Sequence, residues 1–383
     1  MSRLQAENLY KVFGRRPGEA VKRLESGTDR DELRAEGTTA AVIDASFSVE
    51  PGQIFVVMGL SGSGKSTLLR MLNGLLDPTA GRVLFDGQDL TALSDKDLRE
   101  VRAKKISMVF QHFALFPHRS VLENAAYGLE VQGVPREQRE KKATEALEMA
   151  GLKGWEKSWP DELSGGMQQR VGLARALATD ADLLLMDESF SALDPLIRRD
   201  MQDQLLELQK SLKKTIVFIT HDLNEAMRLG DNIAVMRDGR IVQQGTAEDI
   251  LVTPANEYVA SFTQDVDRSR VLTAGAIMAE PHTAVGTKDD AGKELRSAQD
   301  VLAAAPAKVS ADTPIIELFT PCSTSGVPVA VTDAKGSLIG VVPCARLLAV
   351  LGEPMEPTDS APFKDAAEKD KKTVNAKKVA ADA

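Results

Sequence analysis

Unbroken apolar runs of four or five residues recur along the chain, at 54–58, 183–186, 216–219 and 233–236. Runs of that length, bounded by polar turns and separated by helical stretches, predict strands buried on both faces of a parallel sheet. Residues 4–12 carry a strand pattern as well. A charged insert follows, EAVKRLESGTDRDELRAEG, which reads as one or two short surface helices before strand character resumes at Ala41. Residues 54 to about 100 hold a glycine-rich loop, a helix over 67–76 and a hairpin-like stretch with Gly81 and Gly87, and residues 100–165 are polar and helix-rich. The pattern predicts one α/β nucleotide-binding core with antiparallel strands and a helical part beside it. Beyond about 268 the chain turns Ala-rich, then regains a strand, helix, strand, strand, helix order between 306 and 352. The expected domains are a core over 1–265, a linker or incomplete module over 266–305, a module over 306–352 and a charged tail over 353–383, mobile or only partly helical from Phe363 on.

The chain has 383 residues, 43% of them hydrophobic, enough for two or more packed units. Its formal net charge of -9 excludes a broad nucleic-acid surface, which needs clustered Lys and Arg. Two cysteines, Cys322 and Cys344, make no disulfide framework, and no signal peptide precedes the first strand pattern, so a reducing cytosolic compartment is expected. No stretch reaches the roughly 18 apolar residues that a spanning helix needs. Any membrane role is therefore expected to come through a partner.

Three stretches carry chemistry. GLSGSGKST, residues 59–67, follows one apolar run and opens a helix. Its small residues Gly59, Ser61, Gly62, Ser63 and Gly64 let backbone N–H groups approach an anion. Lys65 then reaches the outer phosphates of a nucleoside triphosphate, Ser66 offers its hydroxyl to Mg²⁺, and Thr67 completes the hydroxyl pair. ADLLLMDES, residues 181–189, ends a buried strand in two carboxylates. Asp187 is placed to hold Mg²⁺, directly or through water, and Glu188 to polarise a water for attack on the γ-phosphate. LSGGMQQR, residues 163–170, is a second loop opening a helix, whose Ser164, Gly165 and Gly166 offer another anion site. One nucleotide cannot be cradled twice from the same side, so this second loop points to a nucleotide held by another copy.

Together these stretches resemble the nucleotide-binding subunit of an ATP-binding cassette (ABC) transporter, over residues 1 to about 263. The resemblance implies the ABC-type fold: a phosphate-loop parallel sheet, an antiparallel β subdomain and a helical subdomain. It implies ATP and Mg²⁺ as cofactors and a head-to-tail dimer of two copies around two ATP molecules. It places Gln111 at Mg²⁺ and the attacking water, His221 at the γ-phosphate, and Asp194 in the loop that crosses the dimer, where it also suits a helix N-cap before Pro195. Phe13 is the candidate aromatic ring under the adenine, Tyr10 the second choice, and ordinary core packing stays open for both. A histidine at a strand end is also compatible with a structural role.

A single cassette without a membrane span resembles importers, which work with separate permease subunits and an external substrate-binding protein. Phe110, Phe113, Leu115 and Phe116 form an apolar cluster that suits a groove for a permease helix, or internal packing. The stretches VFQHFALFPH, WPDELSGGMQQRVGLARALA and LLLMDESFSALDPLIRRDMQDQL resemble the quaternary-amine branch, which takes up glycine betaine, proline betaine, choline or carnitine. Residues 306–352 are similar to one cystathionine-β-synthase-type (CBS) module, an α+β appendage, and the segment before them is too short for a complete second one. A purely structural or dimerising appendage remains open. The expected protein is an ATP hydrolase on the cytoplasmic face of the inner membrane. Import of another small polar solute such as an amino acid, or a soluble cassette ATPase outside transport, are the alternatives; hydrolysis stimulated by nucleic acid would mark the latter.

Overall fold

The computed structural model describes residues 3–352 other than His112, Ala192 and Asp265, and the expected tail from 353 lies outside them. The chain divides into two compact units, Met1–Ala247 and Glu248–Ala383, ahead of the boundary expected at 265.

In the first unit, β1 (Leu4–Phe13) and β2 (Thr39–Val49) pair antiparallel, with Phe13 opposite Thr39, so the charged insert leaves and re-enters at the hairpin tip. The insert forms the helices Pro17–Glu25 and Arg30–Ala35. They are more than surface decoration. Ala20, Val21 and Leu24 share one helical face and bury with Leu33 against Tyr10, Val12, Ala40 and Ile43.

β3 (Ile54–Met58) is buried throughout and leads into the glycine-rich loop. β4 (Ala80–Phe85) and β5 (Gln88–Asp89) complete a four-stranded sheet of order β2-β1-β4-β5. The remaining strands of this unit are β6 (Ile106–Val109), β7 (Leu183–Asp187), β8 (Thr215–Thr220), β9 (Asn232–Arg237) and β10 (Arg240–Gly245). With β3 they form a six-stranded sheet of order β10-β9-β3-β8-β7-β6, parallel except for the edge strand β10. The two sheets share a core in which Phe47 and Phe55 stack with centroids 4.7 Å apart, beside Leu68, Leu72 and Ile219.

A helical layer is built from Val121–Val131, Arg136–Met149 and Gly165–Ala178. Ala125, Ala143, Ala146 and Ala174 let these helices approach closely, and Val121, Leu129, Leu147 and Val171 fill the space between. Because β8 lies between β3 and β7, the loops that leave the C-terminal ends of these three strands emerge side by side. That is where parallel α/β sheets place their ligands.

In the second unit, β11 (Lys308–Ser310) pairs parallel with β12 (Val329–Thr332), which pairs antiparallel with β13 (Leu338–Val342). The helices Phe319–Thr324 and Cys344–Gly352 complete the expected element order. The turn between β12 and β13 is pinned by Asp333, whose Oδ1 accepts the Lys335 and Ser337 N–H groups. The segment 266–305, expected as a linker or an incomplete module, contributes to a buried cluster of this unit. Its Ala284, Leu295 and Val301 bury against Val327 and Val341, apolar anchors too widely spaced to stand out in a polar stretch. Both cysteines are free thiols, and burial, with the Cys344 thiol beside it, pushes Cys322 up to about 12. Among the described residues no helix is long and apolar enough to cross a membrane.

Candidate active site

The phosphate loop is wedged between two strands by backbone alone. Gly64 caps the helix Lys65–Leu72 at a φ of +104°, and a Cβ there would lie 2.2 Å from the Ala41 carbonyl oxygen. A Cβ on Gly59 would lie 2.2 Å from the Met236 carbonyl oxygen of β9. Gly239 N–H donates to the Ser63 carbonyl at 3.0 Å, tying the loop to the turn between β9 and β10. Ser61 and Gly62 face outward, and Ser63 Oγ is buried without a hydrogen-bond partner. Lys65, 4% exposed, folds back along the loop and donates to the carbonyls of Gly59 at 2.9 Å and Leu60 at 3.1 Å. Burial pulls its ammonium below the usual lysine range, opposed by Glu188 and Asp187.

Asp187, the last residue of β7, accepts the Ser66 hydroxyl at 2.9 Å. Burial pushes its carboxyl above the usual range, opposed by the Ser66 bond and by Arg70. Glu188 is the hub. Its Oε2 accepts Gln111 Nε2 at 3.3 Å and lies 3.1 Å from His221 Nδ1, while Oε1 stands 3.6 Å from Lys65 Nζ. The Glu188 backbone is left-handed, with φ +43°, a conformation that costs about 1–3 kcal/mol for a residue with a side chain. Neighbouring bonds hold it there. Glu188 N–H donates to Ile219 of β8, and both the N–H and the hydroxyl of Ser191 donate to the Glu188 carbonyl.

The other expected residues sit elsewhere. Ser164 caps the helix Gly165–Ala178 in the helical layer, accepting Met167 N–H at 3.4 Å. A Cβ on Gly166 would meet Ile197 at 2.6 Å, so this glycine also has a packing role. No hydrogen bond or ion pair among the described residues joins Ser164, Gly165 or Gly166 to the Glu188 group. Asp194 caps the helix Pro195–Leu212, accepting the N–H groups of Leu196 and Ile197, each at 3.1 Å. Phe13 is 44% exposed at the end of β1, and Lys11 Nζ lies 5.3 Å from its ring centre. Tyr10 is in the core and offers no stacking face. Of the apolar cluster, Phe116 packs on Tyr127 and Leu115 on the helical core, Phe113 is half-buried, and Phe110 is the exposed member.

Residues 42–191 match the family model described as ABC transporter. Over 386 aligned residues the chain is 49% identical to the glycine betaine transport ATP-binding protein OpuAA of Bacillus subtilis, covering 91% of this chain and 92% of that protein. This chain belongs to the ABC transporter ATP-binding proteins. It is also 49% identical over 293 residues to the trimethylamine N-oxide transport system ATP-binding protein TmoW of Ruegeria pomeroyi, covering 76% of this chain and 86% of that one. The ATP-binding cassette MJ0796, a dimer bound to ADP and Pi, matches with a TM-score of 0.54 and 32% identity, over 64% of this chain and 98% of that one. As an ABC ATP-binding subunit the chain binds and hydrolyses ATP in step with transport.

The donor set suits Mg²⁺ in an ABC site. Ser66 Oγ and Asp187 Oδ1 are hard oxygens side by side, and Mg²⁺ takes one or two protein oxygens, with phosphate and water supplying the rest. No group of three or more His, Cys, Asp or Glu that could hold a metal occurs among the described residues. Two contributors were not singled out from the sequence: Lys11, which covers one side of Phe13, and Arg198, which bonds to the segments that follow Glu188 and His221. Only the placement of Arg198 one helical turn after Asp194 hinted at the second.

Proposed function

We propose that this chain is the ATPase subunit of an importer for a quaternary-amine osmolyte of the glycine betaine type, working as a head-to-tail homodimer beneath a separate permease. The observation that carries the hydrolytic reading is the convergence of Lys65, Gln111 and His221 on the Glu188 carboxylate. The N–H groups of the loop from Gly59 to Lys65, with Ser66 and Thr67 following, receive the phosphates, and the multiply charged triphosphate competes with Glu188 for the Lys65 ammonium. Ser66 and Asp187, with Gln111 nearby, would hold Mg²⁺, which when bound neutralises phosphate charge. Glu188, freed from Lys65, polarises the attacking water, and Gln111 and His221 fix its carboxylate. Phe13 stacks the adenine on the face that Lys11 leaves open.

Ser164, Gly165, Gly166 and Asp194 serve a nucleotide held by the second copy, a reading supported by their place at two other helix N-termini. A cavity of about 210 Å³ lined by Arg102, Met108, Tyr127, Val131 and Arg175, between β6 and the helical layer, has room for a side chain of a permease helix. The glycine betaine reading rests on relatives aligned along nearly the whole chain. The substrate itself is bound by an external binding protein and the permease, and this subunit sits on the cytoplasmic face of the membrane. Residues 306–352 are read as a CBS-like appendage that dimerises or senses a ligand.

The test is Glu188→Gln. Turnover is expected to fall at least about a hundredfold with ATP still bound, because the amide accepts a hydrogen bond but is a poor base. Steady-state hydrolysis at the parental rate would remove Glu188 from the chemistry. Reconstitution with the permease and binding protein, and hydrolysis stimulated by glycine betaine but not by amino acids, tests the solute.

A further inference from the structure

Arg198 lies one turn into the helix Pro195–Leu212, and its side chain folds back over the start of that helix. Its Nη2 donates to the Leu193 carbonyl at 3.1 Å and more weakly to that of Ser191 at 3.5 Å. Both carbonyls belong to the segment that leaves Glu188, and Ser191 in turn bonds to the Glu188 carbonyl through its N–H and its hydroxyl at 2.8 Å. On the other side, Arg198 Nη1 donates to Asp222 Oδ2 at 3.3 Å, and Nε stands 3.8 Å from Glu225 Oε1.

Asp222 directly follows His221, and its other oxygen caps the helix Leu223–Leu229 by accepting Asn224 N–H at 2.8 Å. Thr220, which precedes His221, accepts Asp222 N–H at 2.9 Å and donates to the buried Glu225 at 2.6 Å. Gln202 Nε2 donates to the other Glu225 oxygen at 3.1 Å. His221 is therefore flanked by two residues held in one network, and the same guanidinium holds the loop of Glu188.

We propose that Arg198 is a positioning residue for hydrolysis, fixing Ser191 and Leu193, which follow Glu188, against 220–222 so that the Glu188–His221 contact is kept. The inference rests on the assignment of Glu188 and His221 to hydrolysis. A planar fork bonds two carbonyls and a carboxylate at once, which the single ammonium of lysine does not reproduce. A displacement of about 1 Å at a reacting group costs up to about a hundredfold in rate, whereas ATP affinity is set by the phosphate loop, which Arg198 does not touch.

The experiment uses the full chain with Arg198→Met, Arg198→Lys and His221→Ala, measuring kcat, KM for ATP, ATP affinity and thermal midpoint. The expected result is a kcat lowered about tenfold to a hundredfold in both Arg198 variants, with KM and ATP affinity within about twofold of the parent. Adding Arg198→Met to His221→Ala should then lower the residual rate no further. Parental kcat in the Arg198 variants, or a loss that multiplies fully with that of His221→Ala, would overturn the proposal. If Arg198→Met does not fold, Arg198→Lys carries the same comparison. Parental turnover in Glu188→Gln and His221→Ala would instead strike at the underlying site assignment.

Discussion

A methyl group on Gly64 would press against the Ala41 carbonyl at a backbone angle that side chains resist, so Gly64→Ala must move the phosphate loop off β2. The expected cost is about 1–3 kcal/mol in chemical denaturation, with ATP affinity falling by more than the loss of folded protein accounts for. Unchanged ATP affinity would mean that the loop shifts without losing its cradle. The meeting of Lys65, Ser66, Asp187 and Glu188 was legible because short spacing encodes it: a loop before a helix, carboxylates after a buried run. The left-handed backbone of Glu188 was not, since it is imposed by Ile219 and Ser191 rather than by local preference. Arg198 was marked only by its place one helical turn after Asp194. Two of its partners, Asp222 and Glu225, lie beyond the next strand, and one sequence does not record such a meeting.

The helix Leu223–Leu229 carries a carboxylate, Glu225, that is 4% exposed and held by Thr220, Gln202 and Arg198. Burial raises its proton affinity above the ordinary value of 4.5, and those bonds only partly oppose it. With the folded value raised, the folded state holds the proton more tightly than the unfolded chain. The contribution of Glu225 to stability is therefore greatest below 4.5 and declines as pH rises through the interval up to the folded value. Glu225→Gln should remove that slope, so the difference in denaturation midpoint between parent and variant should change with pH across this interval and level off above it. A constant difference would show that the carboxylate does not titrate there. At this scale the fully apolar strands were readable as parallel, and the insert as helices. What the insert packs against was hidden, because Ala20, Val21, Leu24 and Leu33 find their partners only when β1 and β2 pair. The packing of segment 266–305 was hidden for the same reason, its anchors meeting Val327 and Val341 across the sequence.

For the whole molecule, the placement of Lys65 and Ser164 in separate layers leads to a mixing test. In a head-to-tail dimer of a Lys65→Ala chain with a Ser164→Arg chain, one site carries both defects and the other carries neither. The mixture should regain ATP-induced dimer closure, read by scattering or crosslinking, that each variant alone lacks. Closure no greater than that of the parents would assign both residues to a site within one copy. The division at Ala247 also bears on heat denaturation. Each unit has a buried cluster of its own, and every phosphate-loop and carboxylate residue belongs to the first. A calorimetric scan should thus resolve two endotherms, and saturating ATP should move one alone, by the roughly 2.7 kcal/mol that ligand at a hundred times its Kd confers. A single melting temperature would then average two independent equilibria, and nucleotide would report on only one of them.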